Sequence, residues 1–257
     1  MPEGDTIHRA ARRVGAALVG SEIRSIEMPQ PRHSKDRWDE RLKGRDVRAV
    51  DAHGKHLFVR FDGDLTLHSH LRMGGSWGVY PRGGRWHRGA HRAWLVIRTD
   101  EHEVVQFDGP VLELVTEGRT RFDRRLTALG PDVLAPEFDE REFLARLRNA
   151  EAGRQIGDAL LDQRIVSGIG TVWKSEGCFL AGLSPWRPIE TVTDEQVMRV
   201  IREIRPLMAH SVEQGGKQRR WVFERSGQPC RRCHTQVRFR GQGDDNRNTF
   251  WCPECQR

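Results

Sequence analysis

No apolar run in this chain approaches the ~20 residues that a membrane-spanning helix requires, and only 37% of its 257 residues are hydrophobic. The expectation is a soluble, cytoplasmic protein, nucleoid-associated if bacterial. A secretory leader is not expected either: the chain opens Met1-Pro2-Glu3-Gly4-Asp5 rather than with basic residues and an apolar stretch. Cysteine is scarce. Four of the five fall in two pairs, Cys230/Cys233 and Cys252/Cys255, and the fifth, Cys178, stands alone in an apolar stretch. That distribution argues against a disulfide scaffold and for metal binding in a reducing compartment. Lysine is rarer still among the basic residues, five of 43. No internal repeat and no low-complexity segment is present. A glycine-rich turn at Ser167-Gly168-Ile169-Gly170-Thr171 lacks the Gly-Lys-Ser/Thr ending of a P-loop.

What is abundant is positive charge. The net charge is +7 and the isoelectric point about 9.6, which favours a polyanionic partner. From Gly215 to Arg257 ten Lys/Arg face four Asp/Glu, a surplus of +6, so nearly all of the net charge lies in the last sixth of the chain.

The pattern predicts three regions. Glu3 to Val19 reads as a helix, with Ile7, Ala10, Ala11, Val14 and Leu18 at helical spacing and Arg9, Arg12 and Arg13 on another face. From Ser21 to about Arg125 short strands are expected at 47–50, 57–61, 65–67, 94–97 and 104–107, with a Gly/Arg/His-rich loop at 82–92; such spacing suggests a sandwich or barrel. Past Leu129-Gly130-Pro131 the periodicity becomes helical. Helices are expected around Phe143–Leu147, Ile156–Leu161 and Val172–Leu180. A fourth opens with the capping box Thr193-Asp194-Glu195-Gln196, is kinked by Pro206 and ends at Gly215-Gly216. The fold class is therefore α+β and multi-domain, with boundaries at 1–130, 131–216 and 217–257.

Chemistry begins at the terminus. Removal of Met1 leaves Pro2 as a secondary amine, and a terminal amine with a reference pKa of roughly 7.7–8.0 is partly unprotonated at neutral pH. Such an amine is a nucleophile without the burial that lysine needs. Glu3 stands beside it as a proton-exchanging group, and Gly4 allows a close approach to a substrate. Taken alone, a terminal proline more often does no more than end a flexible terminus.

The Cys-x2-Cys-x18-Cys-x2-Cys spacing fits a four-thiolate zinc ribbon in which Cys230, Cys233, Cys252 and Cys255 fill a tetrahedral shell, making the metal structural. Between the pairs, 237–240 and 248–251 read as a β-hairpin with Arg247 at its tip, placed for a phosphate; an exposed arginine without a ligand is the alternative. The Gly168-x-Gly170 turn into a helix offers backbone amides and a positive dipole to a phosphate, with structural tightness as the other explanation. Gly54-Lys55 reads as a hairpin turn carrying one of the few lysines.

Together Pro2-Glu3-Gly4, Gly54-Lys55, Gly168-x-Gly170 and Arg247-x-Thr249-x-x-Cys252-Pro253-x-Cys255-Gln256 resemble the formamidopyrimidine-DNA glycosylase/endonuclease VIII family over the whole chain. The resemblance implies an N-terminal β-sandwich with a terminal helix, a helix–two-turns–helix domain and a zinc-finger hairpin, with damaged DNA bound between. It implies a bifunctional DNA glycosylase and abasic-site lyase with no organic cofactor, monomeric, working by β,δ-elimination. Pro2 would form a Schiff base at the sugar C1′ and Glu3 would protonate the ring oxygen. Lys55 and Arg247 would hold flanking phosphates, and Gly170 and Thr171 would contact DNA. A flipped-out base leaves a gap in the stack, and Leu71-Arg72-Met73 is the candidate wedge, with Met73 the DNA-contacting residue; core packing of Leu71 and Met73 is the alternative.

Two departures matter. Thr171 stands where the family usually has asparagine, removing a two-donor amide. The stretch Asp108-Gly109-Pro110-Val111-Leu112-Glu113-Leu114 lacks the Arg-Arg-Phe wedge of the formamidopyrimidine branch, which favours the endonuclease VIII branch and oxidised pyrimidines. An abasic-site lyase with weak base excision and an oxidised-purine glycosylase share these motifs. A non-catalytic zinc-containing nucleic-acid-binding protein would account for the charge and the cysteines but not for Pro2-Glu3.

Overall fold

The apolar spacing near the terminus forms helix α1 (Gly4–Leu18), which buries Ile7, Ala11, Val14 and Leu18 and exposes Arg12 and Arg13. The structure is a computed structural model and describes residues 2–33, 36–215 and 219–257. It divides into two compact units. The first holds Pro2 and Thr6–Thr127; the second holds Glu3–Asp5 and Ala128–Arg257.

In the first unit α1 is followed by β1 (Ser25–Glu27), α2 (Trp38–Leu42), β2 (Val47–His53), β3 (His56–Phe61), β4 (Leu65–His70), β5 (Ser76–Pro81), β6 (Ala93–Arg98), β7 (His102–Phe107), β8 (Val111–Thr116), α3 (Glu117–Phe122) and α4 (Arg124–Thr127). The strands form two antiparallel four-stranded sheets, ordered β1-β6-β7-β5 and β2-β3-β4-β8. One core joins Leu57, Val59 and Leu67 of one sheet to Leu95, Ile97 and Val104 of the other, with Ile7, Val14 and Leu18 of α1 packed in. This is the expected β-sandwich with a terminal helix.

The five expected strands are all present, and three others join them. β1 is only three residues long. β5 carries Gly78 and ends at Pro81, which weakens its strand signal, yet it pairs with β7 along its whole length. β8 pairs with β4 from Leu65↔Thr116 to His70↔Val111. The loop expected at 82–92 is there, apart from one short turn of 3-10 helix at Ala90–Arg92. Part of it folds over the outer face of the β1-β6-β7-β5 sheet, where Trp86 and Tyr80 pack on Ala93, Val96, Val105 and Phe107.

The second unit continues with α5 (Glu140–Arg148), α6 (Ile156–Ala159), α7 (Thr171–Ala181), α8 (Asp194–Gln214), β9 (Arg238–Gln242) and β10 (Arg247–Trp251). α6 is a single turn, shorter than the expected 156–161. α8 has the expected capping box: the Gln196 amide donates to Thr193 Oγ1 (3.3 Å) and the Thr193 amide to Gln196 Oε1 (3.0 Å). It runs continuously through Pro206 and is capped by Gly215; Gly216 lies outside the described residues. Phe143, Leu147, Ile156, Ile169, Trp173, Val197, Ile201 and Met208 share one core. Cys178 is buried within it, as expected of a lone apolar cysteine. A smaller core of Phe179, Val222, Val237 and Phe250 underlies the β9–β10 hairpin. Among the described residues no helix is long and apolar enough to cross a membrane.

Candidate active site and nucleic-acid interface

Glu3 is 2% exposed, and its carboxylate sits at the N-terminus of α7. Oε2 accepts from the amides of Gly170 (3.1 Å) and Trp173 (3.2 Å), and Oε1 accepts from Val172 (2.9 Å). Those are among the amides a helix leaves unpaired at its start, and the α7 dipole adds to their attraction for an anion. Charge-assisted bonds of this kind are the strong ones. The glycines of the turn follow from this geometry. A Cβ on Gly170 would lie 2.3 Å from Glu3 Cδ, so only glycine admits the carboxylate. Gly168 has φ +100° and its carbonyl accepts from the Gly4 amide at 2.8 Å, where a Cβ on Gly4 would collide with the Gly168 backbone. Ser211 Oγ donates to Asp5 Oδ2 at 2.6 Å, fixing the first turn of α1 further.

The anion expected at this turn from outside is thus supplied by the chain itself. The Gly170 amide is committed to Glu3, and Thr171 is buried, its carbonyl accepting from Ser175 Oγ (2.8 Å). Pro2 is half-buried and lies one peptide bond from the clamped residue.

Lys55 occupies the two-residue turn between His53 and His56, with Gly54 at φ +56°, the position that such hairpins reserve for glycine. Beneath it runs a ladder that the sequence reading missed. His56 Nδ1 meets His68 Nε2 at 2.8 Å, His68 Nδ1 meets Glu113 Oε2 at 3.3 Å, and Glu113 pairs with Arg125 at 2.8 Å. A carboxylate only accepts, so His68 carries its proton on Nδ1 and takes a hydrogen bond from His56 on Nε2. Burial, reinforced by neighbouring charge, pulls His56 down to about 2 and His70 to about 4. Positive charge at this end of the sheet therefore does not come from these two rings.

The wedge candidate divides. Leu71 is 2% exposed and belongs to the sandwich core, whereas Met73 is 62% exposed on the turn after β4. Arg72 lies between them, exposed, with φ +51° and its amide donating to His70 Nδ1 at 3.1 Å.

The hairpin pairs Arg247 with Gln242 and Trp251 with Arg238, so Arg247 is the first residue of β10 rather than part of the turn itself. Its side chain is 43% exposed and lies 3.4 Å from Asp245. The sulfurs of Cys230, Cys233, Cys252 and Cys255 all lie within 4.8 Å of one another, with Cys230–Cys255 at 3.9 Å and Cys233–Cys252 at 3.4 Å. A tetrahedral ion with metal–sulfur bonds of ~2.3 Å needs sulfur–sulfur edges of about 3.8 Å, so the cluster fits a metal. The Arg232 amide donates to Cys230 Sγ at 3.4 Å, which suits a thiolate ligand.

Within the second unit α7 connects Glu3 to the hairpin. Its first turn holds Glu3, Lys174 Nζ donates to Thr249 Oγ1 (2.5 Å) and Gln242 Oε1 (3.4 Å), and Ser175 Oγ accepts from the Phe250 amide (3.3 Å). Glu176 accepts from the amides of Trp221, Val222 and Phe223 at 2.8–3.0 Å. The rarity of lysine in this sequence was the one signal that could have marked Lys174.

A two-sheet sandwich behind a Pro-Glu terminus, joined in sequence to a helical unit ending in a four-cysteine hairpin, defines a class: DNA glycosylases of the helix–two-turns–helix type. Comparison with known proteins carries this to a family. Residues 1–123 match the formamidopyrimidine-DNA glycosylase N-terminal domain and residues 129–221 match the formamidopyrimidine-DNA glycosylase H2TH domain. A "Probable endonuclease 8 2" of Streptomyces coelicolor is 40% identical, covering 100% of this chain and 94% of that protein. The "DNA-(apurinic or apyrimidinic site) lyase Nei2" of Mycolicibacterium smegmatis is 35% identical, covering 100% and 99%. The Lactococcus lactis formamidopyrimidine-DNA glycosylase solved with abasic-site DNA superimposes with a TM-score of 0.85 at 22% identity over the whole of both chains, a likeness of fold. The chain belongs to the formamidopyrimidine-DNA glycosylase/endonuclease VIII family, whose members are DNA glycosylases with abasic-site lyase activity.

Proposed function

We propose that this protein excises oxidised bases, pyrimidines in preference, from damaged DNA and cuts the strand at the resulting abasic site through a Schiff base at Pro2. The observation that carries the reading is the triple amide clamp on Glu3. A buried carboxylate fixed by three backbone donors, one residue from a terminal secondary amine, is a preorganised pair. The unprotonated Pro2 nitrogen attacks C1′ and the glycosidic bond breaks, the base leaving with the bonding pair and taking a proton from water. The proton that the Pro2 nitrogen sheds passes through Glu3 to O4′, and ring opening leaves an iminium between Pro2 and the sugar. The iminium acidifies the C2′ protons, and loss of one expels the 3′ phosphate by β-elimination; the conjugated iminium then acidifies the C4′ proton, whose loss expels the 5′ phosphate by δ-elimination.

Lys55 and Arg247 supply charge to the phosphates on either side of the lesion, and the exposed Met73 fills the gap left by the extruded base. Gly170 serves DNA indirectly, its amide seating Glu3, and Thr171 opens α7 beside it. The four cysteines hold one structural zinc ion, which stabilises the hairpin and leaves no ligand position open for chemistry.

The deciding experiment is borohydride reduction during reaction with a duplex carrying one thymine glycol. A covalent adduct mapped to Pro2 is the expected result. No adduct on this substrate, together with efficient trapping on 8-oxoguanine DNA, would transfer the specificity to purines.

A further inference from the structure

Lys174 is fully buried in the second unit. Burial pulls its ammonium down to about 8, opposed by Cys178, Asp158 and Glu3 and assisted by Arg247, so it remains charged at neutral pH. A charge kept in such a place needs acceptors, and the two that it meets both belong to the hairpin: Thr249 Oγ1 at 2.5 Å and Gln242 Oε1 at 3.4 Å. Thr249 also donates to Gln242 at 2.9 Å, and Gln242 is held in turn by Gln155 (2.9 Å) and the Pro185 carbonyl (2.8 Å).

These grips fall next to Arg247. Gln242 is its cross-strand partner, and Thr249 lies two residues along the same strand. The guanidinium does not anchor the hairpin, because it is 43% exposed and its contact to Asp245 is within the turn. An apolar residue at 174 would fill the same space without fixing the register of the hairpin. Directional bonds from a buried charge do fix it, the best-attested use of buried polar groups.

We propose that Lys174 is a positioning residue for Arg247: it locks the hairpin onto α7, so that the arginine meets a DNA phosphate in fixed register with Glu3, which the same helix holds. The inference rests on the reading of Arg247 as a phosphate contact.

The test is a double-mutant cycle on the zinc-loaded full chain. Binding to a short duplex carrying one tetrahydrofuran abasic-site analogue is measured by fluorescence anisotropy across a salt series. Losing one phosphate contact flattens the slope of log K against log salt by about 0.9. Arg247→Ala is expected to show that drop, Lys174→Met a drop approaching it, and the double variant no more than Arg247→Ala. A buried charge acting on DNA only at long range would instead lower the slope again in the Arg247→Ala background, which overturns the proposal. So does a Lys174→Met slope equal to that of the parent. Thr249→Val removes the acceptor while leaving the lysine, and it must reproduce the coupling if Lys174→Met does not fold. An unchanged slope for Arg247→Ala sinks the phosphate reading and the inference with it. A flattened slope for Arg247→Ala beside an unchanged one for Lys174→Met and Thr249→Val sinks the inference alone.

Discussion

Glu3→Gln is the substitution that tests the site most directly. The amide keeps the shape of the carboxylate but has one acceptor oxygen where the acid has two. With that oxygen in the Oε2 place, the bonds from Gly170 and Trp173 survive without charge, and the new NH2 faces the Val172 amide, donor against donor. A buried donor left unsatisfied costs about 1–3 kcal/mol. Loss of the anion at the N-terminus of α7 adds about 1–2 kcal/mol in a buried setting. The expected total is about 3 kcal/mol, or a Tm lower by roughly 6–12 °C for a protein of this size. Scanning calorimetry measures that part. The functional part uses two duplexes, one with thymine glycol and one with a preformed abasic site. Base excision should fall far more than cutting of the abasic site, which already offers an aldehyde to Pro2. Two results would refute the reasoning: a Tm within a degree or so of the parent, or equal losses on both duplexes by protein shown to be folded.

Fusing a tag ahead of Pro2, or retaining Met1, converts the nucleophile into a tertiary amide. Such protein should bind zinc and DNA almost normally yet neither excise nor cut, and robust strand cutting by a verified fusion would place the nucleophile elsewhere, with Lys55 the first candidate. Cys230→Ser, or removal of metal by a chelator, should unfold the β9–β10 hairpin and weaken DNA binding while the sandwich stays folded, because structural zinc supplies much of such a module's folding energy; metal analysis of the parent should give one zinc per chain. The pH dependence of stability isolates Lys174. Burial lowers its folded pKa to about 8 from 10.5, so between those values the unfolded chain holds a proton that the folded chain has lost, and stability rises with pH. Relative to Lys174→Met, the parent should gain roughly 3 kcal/mol across that interval in denaturant titrations, and a flat difference would mean that the lysine is not desolvated.

Periodicity carried much of the fold because it reports which faces are buried. α1, α7, α8 and the five longest-patterned strands were readable from their own residues. β5 and β8 were not. Gly78 and Pro81 are poor strand formers that tertiary pairing overrides. Glu113 interrupts the apolar pattern of β8 because it faces His68 across the strand pair. Leu71 and Met73 show the same limit at the scale of one turn. Two apolar residues two positions apart were equivalent on paper, and only the fold sends one into the core and leaves the other in solvent.

The turn at Gly168–Gly170 teaches a different lesson. Its composition announces an anion site, and an anion site it is. What no local reading supplies is the anion, which comes from a residue 167 positions upstream. A helix N-terminus in a DNA-binding protein invites a phosphate, but its dipole and amides attract any negative charge, and an internal carboxylate fixed during folding competes at no cost in translational entropy. Once Glu3 is seated, the amides of Gly170, Val172 and Trp173 are committed to a carboxylate of the chain itself. In the proposed function the phosphates are gripped by side chains instead, Lys55 on its hairpin turn and Arg247 on β10. The rest of α7 fits that division: from Lys174 to Glu176 it spends its polar groups on the hairpin that carries Arg247 and on the segment leading into it.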